Sequence, residues 1–189
     1  MFYRIFTALS LIVILSGCAS TTHLLTVNPI LELPTASLVN LHKIEVKTNS
    51  LVDDNIGSID TAIKEHADLV LANNLEERIN TKVIKGLESL GLKPTQGNEP
   101  AIQILIEITQ LDYTSEAKAI NTTATLKFSM KATVKAKGQV YKGNYSSEAT
   151  EKFTTLPSQI SLEESLSKIT GQTVGRLLND QNIRILLQK

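Results

Sequence analysis

Tryptophan is absent from the 189-residue chain, and tyrosine and phenylalanine number only four each. Surfaces that hold bases or sugars lean on aromatic rings, so the shortage argues against a stacking platform. Charge of one sign is not in excess either, with nineteen lysines and arginines against nineteen aspartates and glutamates. A near-neutral chain sets up no global field for a polyanion, and no nucleic-acid partner is expected. His23, His42 and His66 are the only histidines and form no HxH or HxxxH pair. Without a second cysteine to complete a ligand set, no metal and no other cofactor is expected. The GxSxG, P-loop and GxGxxG patterns are missing. Glu76-Glu77 and Glu163-Glu164 fall at the starts of predicted helices, where the helix dipole explains them without acid–base work. The expectation is a protein that is not an enzyme.

A long hydrophobic run is also missing. The apolar stretch from Ile5 to Leu15 is about half the roughly 20 residues that span a bilayer, and the polar Ala19-Ser20-Thr21-Thr22-His23 follows closely. With Arg4 before it and the small Ser16 and Gly17 after it, the stretch reads as an export signal. Cys18, the only cysteine, stands at its end, so no intramolecular disulfide can form and the thiol is best read as an attachment point. Leu15-Ser16-Gly17-Cys18 resembles the lipobox of bacterial lipoproteins, which are cut between the residues matching Gly17 and Cys18. The resemblance implies a mature chain beginning at Cys18, with an S-diacylglycerol and an N-acyl group. Ala19, rather than aspartate, stands next; in the enteric sorting pattern this implies delivery to the outer membrane. The expected organisation is a signal peptide at 1–17, a lipidated cysteine and short tether at 18–23, and one periplasmic domain at 24–189.

Within that domain, Leu24 to Leu33 contains Pro29 and precedes Pro34, so any strand there is short or at an edge. Lys43 to Lys47 alternates as a half-buried strand, and Ser50 to Asp60 reads as loop. His66 reads as a solvated side chain before the first helix. Asn74 and Glu77 have capping-box spacing, and Leu75, Ile79, Val83, Leu87 and Leu90 form a helical stripe closed by Gly91. Ile102 to Ile108 alternates with period two. So does the next run, with Leu126, Phe128, Met130, Ala132, Val134 and Ala136 on one face. Lys137-Gly138 predicts a hairpin turn into Val140 to Phe153. A capping box at Ser161 and Glu164 opens a helix whose inward stripe is Leu162, Leu166, Ile169, Thr173 and Leu177. Gly171 and Gly175 in that helix predict close packing on the sheet, and Asn179-Asp180 ends it and caps a last short helix. The fold expected is α+β, a two-layer sandwich with a mainly antiparallel sheet and helices packed on one face.

The chain resembles the YajG family of bacterial lipoproteins, uncharacterised in function. The resemblance rests on the lipobox, Val27-Asn28-Pro29 with Leu33-Pro34, the helix closing on Leu90-Gly91-Leu92, the long hairpin, and Asp180-Gln181-Asn182-Ile183. It departs where members carry an aromatic and this chain has Leu92. More distantly the layout is similar to lipoproteins that serve as accessory subunits of envelope transport machines. The resemblance implies an anchored envelope protein and brings no catalytic residue. Lys127, Lys131 and Lys135, four apart on one strand and all on its wetted face, are the candidate partner surface, with Glu148 or Glu151 as neighbours across the hairpin. Such a face reads first as a wetted surface whose lysines keep the sheet soluble and guard it against edge-to-edge association, and as the alternative a docking face for an acidic envelope protein partner or an anionic polymer. The expected function is a non-catalytic binding or accessory module at the periplasmic face of the outer membrane. The alternative is a carrier holding a lipid or other amphipathic ligand between sheet and helices.

Overall fold

The computed structural model describes residues 21–32, 38, 43–92 and 102–188. The lipobox with Gly17 and Cys18, the Leu33-Pro34 pair and His42 lie outside the described residues.

Three long strands form the centre: β5 (Ile102–Ala117), β6 (Thr122–Ala136) and β7 (Gln139–Phe153). In β6 every second residue from Thr122 to Ala136 is buried, while Lys127, Lys131 and Lys135 stand exposed on the opposite side. Pairing of Ala136 with Gln139 leaves Lys137 and Gly138 as the whole turn, with φ of 47° and 77°. Both angles are left-handed, as a tight hairpin matching strand twist requires. In β5 the buried set changes phase, from Ile102, Ile104, Ile106 and Ile108 to Leu111 and Tyr113, across a register shift between Ile108 and Gln110. One extra residue at Thr109 keeps the later side chains facing the core.

The remaining strands correct the sequence reading. The stretch expected to be loop contains β3 (Asn55–Asp60), and His66 opens a strand, β4 (His66–Leu71), rather than a solvated lead-in to the helix. Thr21, Thr22 and His23, expected as tether, belong to a short edge strand, β1 (Thr21–Leu25). The order is β1-β4-β3-β5-β6-β7, with β2 (Ile44–Ser50) also paired to β5. Strand β2 lies parallel to the first half of β5, and β3 meets β5 further on, where Gly57 pairs with Tyr113. The two are nearly one strand, interrupted at residues 51–54 beside the β5 bulge. A Cβ on Gly57 would stand 3.0 Å from the Tyr113 carbonyl carbon and closer still to its oxygen, and Gly57 also has φ of 136°, so glycine is required here. The sheet is therefore mixed: the long β5–β6 and β6–β7 pairings and β3–β4 are antiparallel, as expected for most of the sheet, whereas β1–β4, β2–β5 and β3–β5 are parallel. Alternation reports which side of a strand is buried, not which way its neighbour runs.

Helix α1 (Leu75–Ser89) begins as expected: Asn74 Oδ1 accepts the Glu77 N–H at 3.0 Å, and Gly91 follows the helix with φ of 83°. Helix α2 (Gln159–Leu178) begins nearly a turn before the expected cap, because Ser158 Oγ, not Ser161, accepts the first free N–H, that of Ser161 at 3.2 Å. Its inward stripe is as predicted, with Leu162, Leu166, Ile169, Thr173 and Leu177 all buried. Helix α3 (Gln181–Gln188) is capped by Asp180 Oδ1, which accepts the Asn182 N–H at 2.8 Å. Thr48 and Asn80 join β2 to α1 at 3.2 Å, and Thr173 and Ser147 join α2 to β7 at 2.8 Å. Leu178 of α2 fills the space left by Gly86 of α1. One apolar cluster runs through sheet and helices, and each fully buried Leu, Ile or Phe contributes about 1.5–3 kcal/mol to it.

After β1 the chain becomes a strap along α2. Gln159 Nε2 donates to the Leu24 carbonyl at 2.7 Å, and Glu163 Oε1 accepts the Thr26 N–H at 2.9 Å. Ser167 takes the Asn28 N–H on its Oγ at 3.1 Å and the Ile30 N–H on its carbonyl at 2.9 Å. Gly171 then lies against the Ile30 backbone, and Gly175 faces the Leu31 side chain. The contacts recur at every fourth helical residue, which follow one another along a single slowly turning face. The close approach predicted for Gly171 and Gly175 is thus made to the strap rather than to the sheet.

Candidate functional site

The open face of β5–β7 carries the three lysines picked out in the sequence, and the structure sets them in a row on β6. Alternate residues share a face, so successive lysines stand about 13 Å apart at roughly 3.3 Å per residue. Lys127 is paired with Glu148 of β7 at 3.2 Å and lies opposite Asp112 of β5. Lys131 lies opposite Glu107 and Asn144, and Lys135 opposite Gln103 and Val140. Glu151, the other carboxylate considered for this row, sits on the opposite face and accepts a hydrogen bond from Ser165 of α2. Charge is therefore balanced around Lys127 and becomes basic towards Lys135, where Lys142 of β7 joins the same side. Lys47 of β2 is nearby but pairs with Glu45 at 2.8 Å.

The two described histidines do not converge: His23 on β1 lies opposite Leu69, whereas His66 opens the neighbouring strand β4 on the other face of the sheet, between Asp60 at 2.8 Å and Asp68 at 3.4 Å. The hydrogen bond to Asp60 and both carboxylate charges hold the His66 imidazole above its ordinary value, outweighing desolvation. Among the described residues no group of three or more His, Cys, Asp or Glu is placed to hold a metal ion. A groove of about 910 Å³ runs along the outer side of α2 between Ile30 and Asn179, away from the sheet.

One constellation escaped the sequence reading. Tyr141 and Tyr145, four residues apart on β7, both donate to Asp180 Oδ2, at 2.8 and 2.6 Å. Gly143 between them leaves the space that the Tyr145 ring occupies. Two tyrosines at an even spacing on a strand share a face, which was the available signal. Burial opposes the Asp180 charge, but hydrogen bonds from Tyr145, Tyr141 and the N–H groups of Asn182 and Ile183 outweigh it and lower its pKa. Burial also pushes the Tyr145 hydroxyl up, and Asp180 adds to the shift. Asp180 thus ties the α2–α3 corner to β7 while capping α3, a structural joint rather than a reactive centre. Asp180→Ala is expected to cost about 1–2 kcal/mol, with a lost cap and charged hydrogen bonds discounted for partial exposure. A folded-state pKa below the unfolded value means that this stability is present above about pH 3.9 and is lost as pH falls through the folded value. Urea unfolding from pH 6 downwards checks the sign: the gap between wild type and Asp180→Ala should narrow in acid.

The fold and the contacts define an α+β domain tied to its own N-terminal segment. The chain belongs to the YajG family, matching over residues 52–188 the family described as "Uncharacterized lipoprotein". Among solved structures it is similar to protein XCC0632 from Xanthomonas campestris, of the DUF330 family. The TM-score is 0.54 at 10% identity, covering 88% of this chain and 95% of that one. A second structure, described only as an uncharacterized protein, gives a TM-score of 0.50 at 12% identity over 84% of this chain and 97% of its own. At such identities the likeness is one of fold. No curated protein matches the chain. No helix among the described residues is long and apolar enough to cross a membrane.

Proposed function

We propose that the protein is a lipid-anchored, non-catalytic binding or accessory module held at the periplasmic face of the outer membrane, and that it docks an envelope partner on the open face of its sheet. The family supports a lipoprotein anchored in the envelope. The observation that carries the docking role is the unequal use of the two faces of β5–β7. One is covered by the core, whereas the other stays open and turns basic from Lys127 towards Lys135 and Lys142. Such a face suits an acidic protein surface or an anionic envelope polymer, since complementary charge steers encounter and sets register. The carrier alternative fits less well, because the space between sheet and helices is filled by Phe128, Ile104, Leu162 and Leu166, all at most 1% exposed.

Changing Lys127, Lys131 and Lys135 together to glutamine tests the docking face. These side chains are exposed, so thermal stability should change by less than about 0.5 kcal/mol. Crosslinking in intact cells should then lose one partner band present with the wild type. An unchanged set of crosslinks, with protein abundance equal, would remove this face as the docking site. Mass spectrometry of the gently purified protein separates the two classes: a stoichiometric lipid beyond the anchor's own acyl chains would favour the carrier.

A further inference from the structure

Isoleucine is exposed at three turns or helix starts of the domain, and all three lie at the same end of the sheet. Ile63 is in the β3–β4 turn and 56% exposed, Ile120 is in the β5–β6 turn and 78% exposed, and Ile160 is in the first turn of α2 and 68% exposed. Their neighbourhood follows from hydrogen bonds that stitch the connections together. The Ala62 N–H donates to Thr122 Oγ1 at 3.2 Å, the Asp60 N–H to Ser115 Oγ at 3.0 Å, and the Leu156 N–H to Glu65 Oε2 at 2.7 Å. Single exposed apolar side chains are ordinary. Turn tips, however, favour Gly, Asn, Asp and Ser, so isoleucine at two adjoining tips runs against turn chemistry.

The same end carries the start of the folded chain. Thr21 pairs with Ala67, beside the β3–β4 turn, and Cys18 precedes Thr21 by three residues. That length of chain reaches about 11 Å at most. Because β1 and the strap along α2 hold the following residues, the domain cannot swing on a long linker. An acyl group on Cys18 therefore brings this end, and no other, against the leaflet. Charge at the rim is compatible with a phospholipid surface. Asp60 and Asp68 flank His66, Glu116 is taken by Lys118 at 3.5 Å, and the Glu65 carboxylate accepts from the Leu156 N–H and from the Thr61 hydroxyl. Lys64 next to Ile63 carries no ion pair among the described residues, and a lysine can extend to headgroups while its neighbour enters the acyl boundary.

We infer that Ile63, Ile120 and Ile160 form a membrane-contact rim that seats the domain on the phospholipid leaflet holding its anchor. This rests on lipidation at Cys18, and it makes the open lysine face stand roughly upright from the membrane rather than lie against it. The absence of tryptophan allows a direct test. The acylated full-length protein, carrying Ile63→Trp, Ile120→Trp or, at the opposite end of the sheet, Val140→Trp, is reconstituted into phosphatidylethanolamine–phosphatidylglycerol vesicles with brominated acyl chains. All three positions are exposed, so the substitutions leave the core untouched. The protein should float with the vesicles. Fluorescence should be blue-shifted and quenched several-fold more strongly at 63 and 120 than at 140. Co-flotation with equal or no quenching at the three positions overturns the rim while leaving the anchor standing. Failure to float overturns the anchor and the rim with it.

Discussion

Cys18→Ala is expected to abolish lipid attachment and to block normal processing of the signal. The thiol is the only one in the chain, so no other side chain can take the thioether. The energetic consequence is all-or-none. Each buried methylene contributes about 0.8 kcal/mol, so one acyl chain holds a protein only marginally, whereas two or more hold it stably. No helix among the described residues is long and apolar enough to span the bilayer in their place. Exposed isoleucines at the rim add contact area but cannot replace whole acyl chains. Metabolic labelling with a palmitate analogue should mark the wild type and leave Cys18→Ala blank, and the variant should migrate as the uncut precursor. Label retained on the variant would remove the lipoprotein assignment of this residue, and with it the reason for placing the strand end at the membrane.

Gly171→Ala and Gly175→Ala are expected to act in opposite directions, although they exchange the same residues one helical turn apart. In the interior of a helix, alanine is favoured over glycine by about 1 kcal/mol. At Gly175 a new Cβ would meet Leu31 Cδ1 at 3.8 Å, an ordinary contact, so much of that gain should be realised. At Gly171 the new Cβ would stand 2.7 Å from the Ile30 nitrogen and closer still to its carbonyl carbon and oxygen. Backbone cannot rotate aside as a side chain would, so the strap must lift. Lifting removes the bonds from Ile30 and Asn28 to Ser167, worth about 1 kcal/mol each, and overpacking adds about 1–3 kcal/mol. After the helix gain the net loss is about 2–4 kcal/mol, or a fall in Tm of about 4–16 °C for a domain of this size. Calorimetry of both variants decides the matter. A rise in Tm for Gly171→Ala equal to that for Gly175→Ala would show that the strap does not lie on α2 as described. Limited proteolysis should also cut Gly171→Ala between Thr26 and Leu31 sooner than wild type, because the strap is then free.

Much of this architecture was legible residue by residue. The alternation from Leu126 to Ala136 assigned each side chain of β6 to its face, including the lysines. Lys137-Gly138 marked the hairpin, Asn74 and Asp180 marked helix starts, and the ordered short motifs were enough to recognise the family. These features depend on a residue's own burial, backbone angles or nearest neighbours, which is why a linear pattern carries them. Other features needed partners distant in the chain. Asn55 to Asp60 looks like loop because Asn, Gly, Ser and Asp dominate it, and its two isoleucines are three apart across a bulge. It is a strand because β4 and β5 lie on either side. The parallel course of β2 along β5, the choice of Ser158 over Ser161 as cap, and the seating of Gly171 on Ile30 have the same origin. So does the gathering of Ile63, Ile120 and Ile160 at one rim, contributed by three separate connections. Periodicity says how buried a side chain wants to be, but direction, register and neighbour across tens of residues are decided only when all segments compete for the same core.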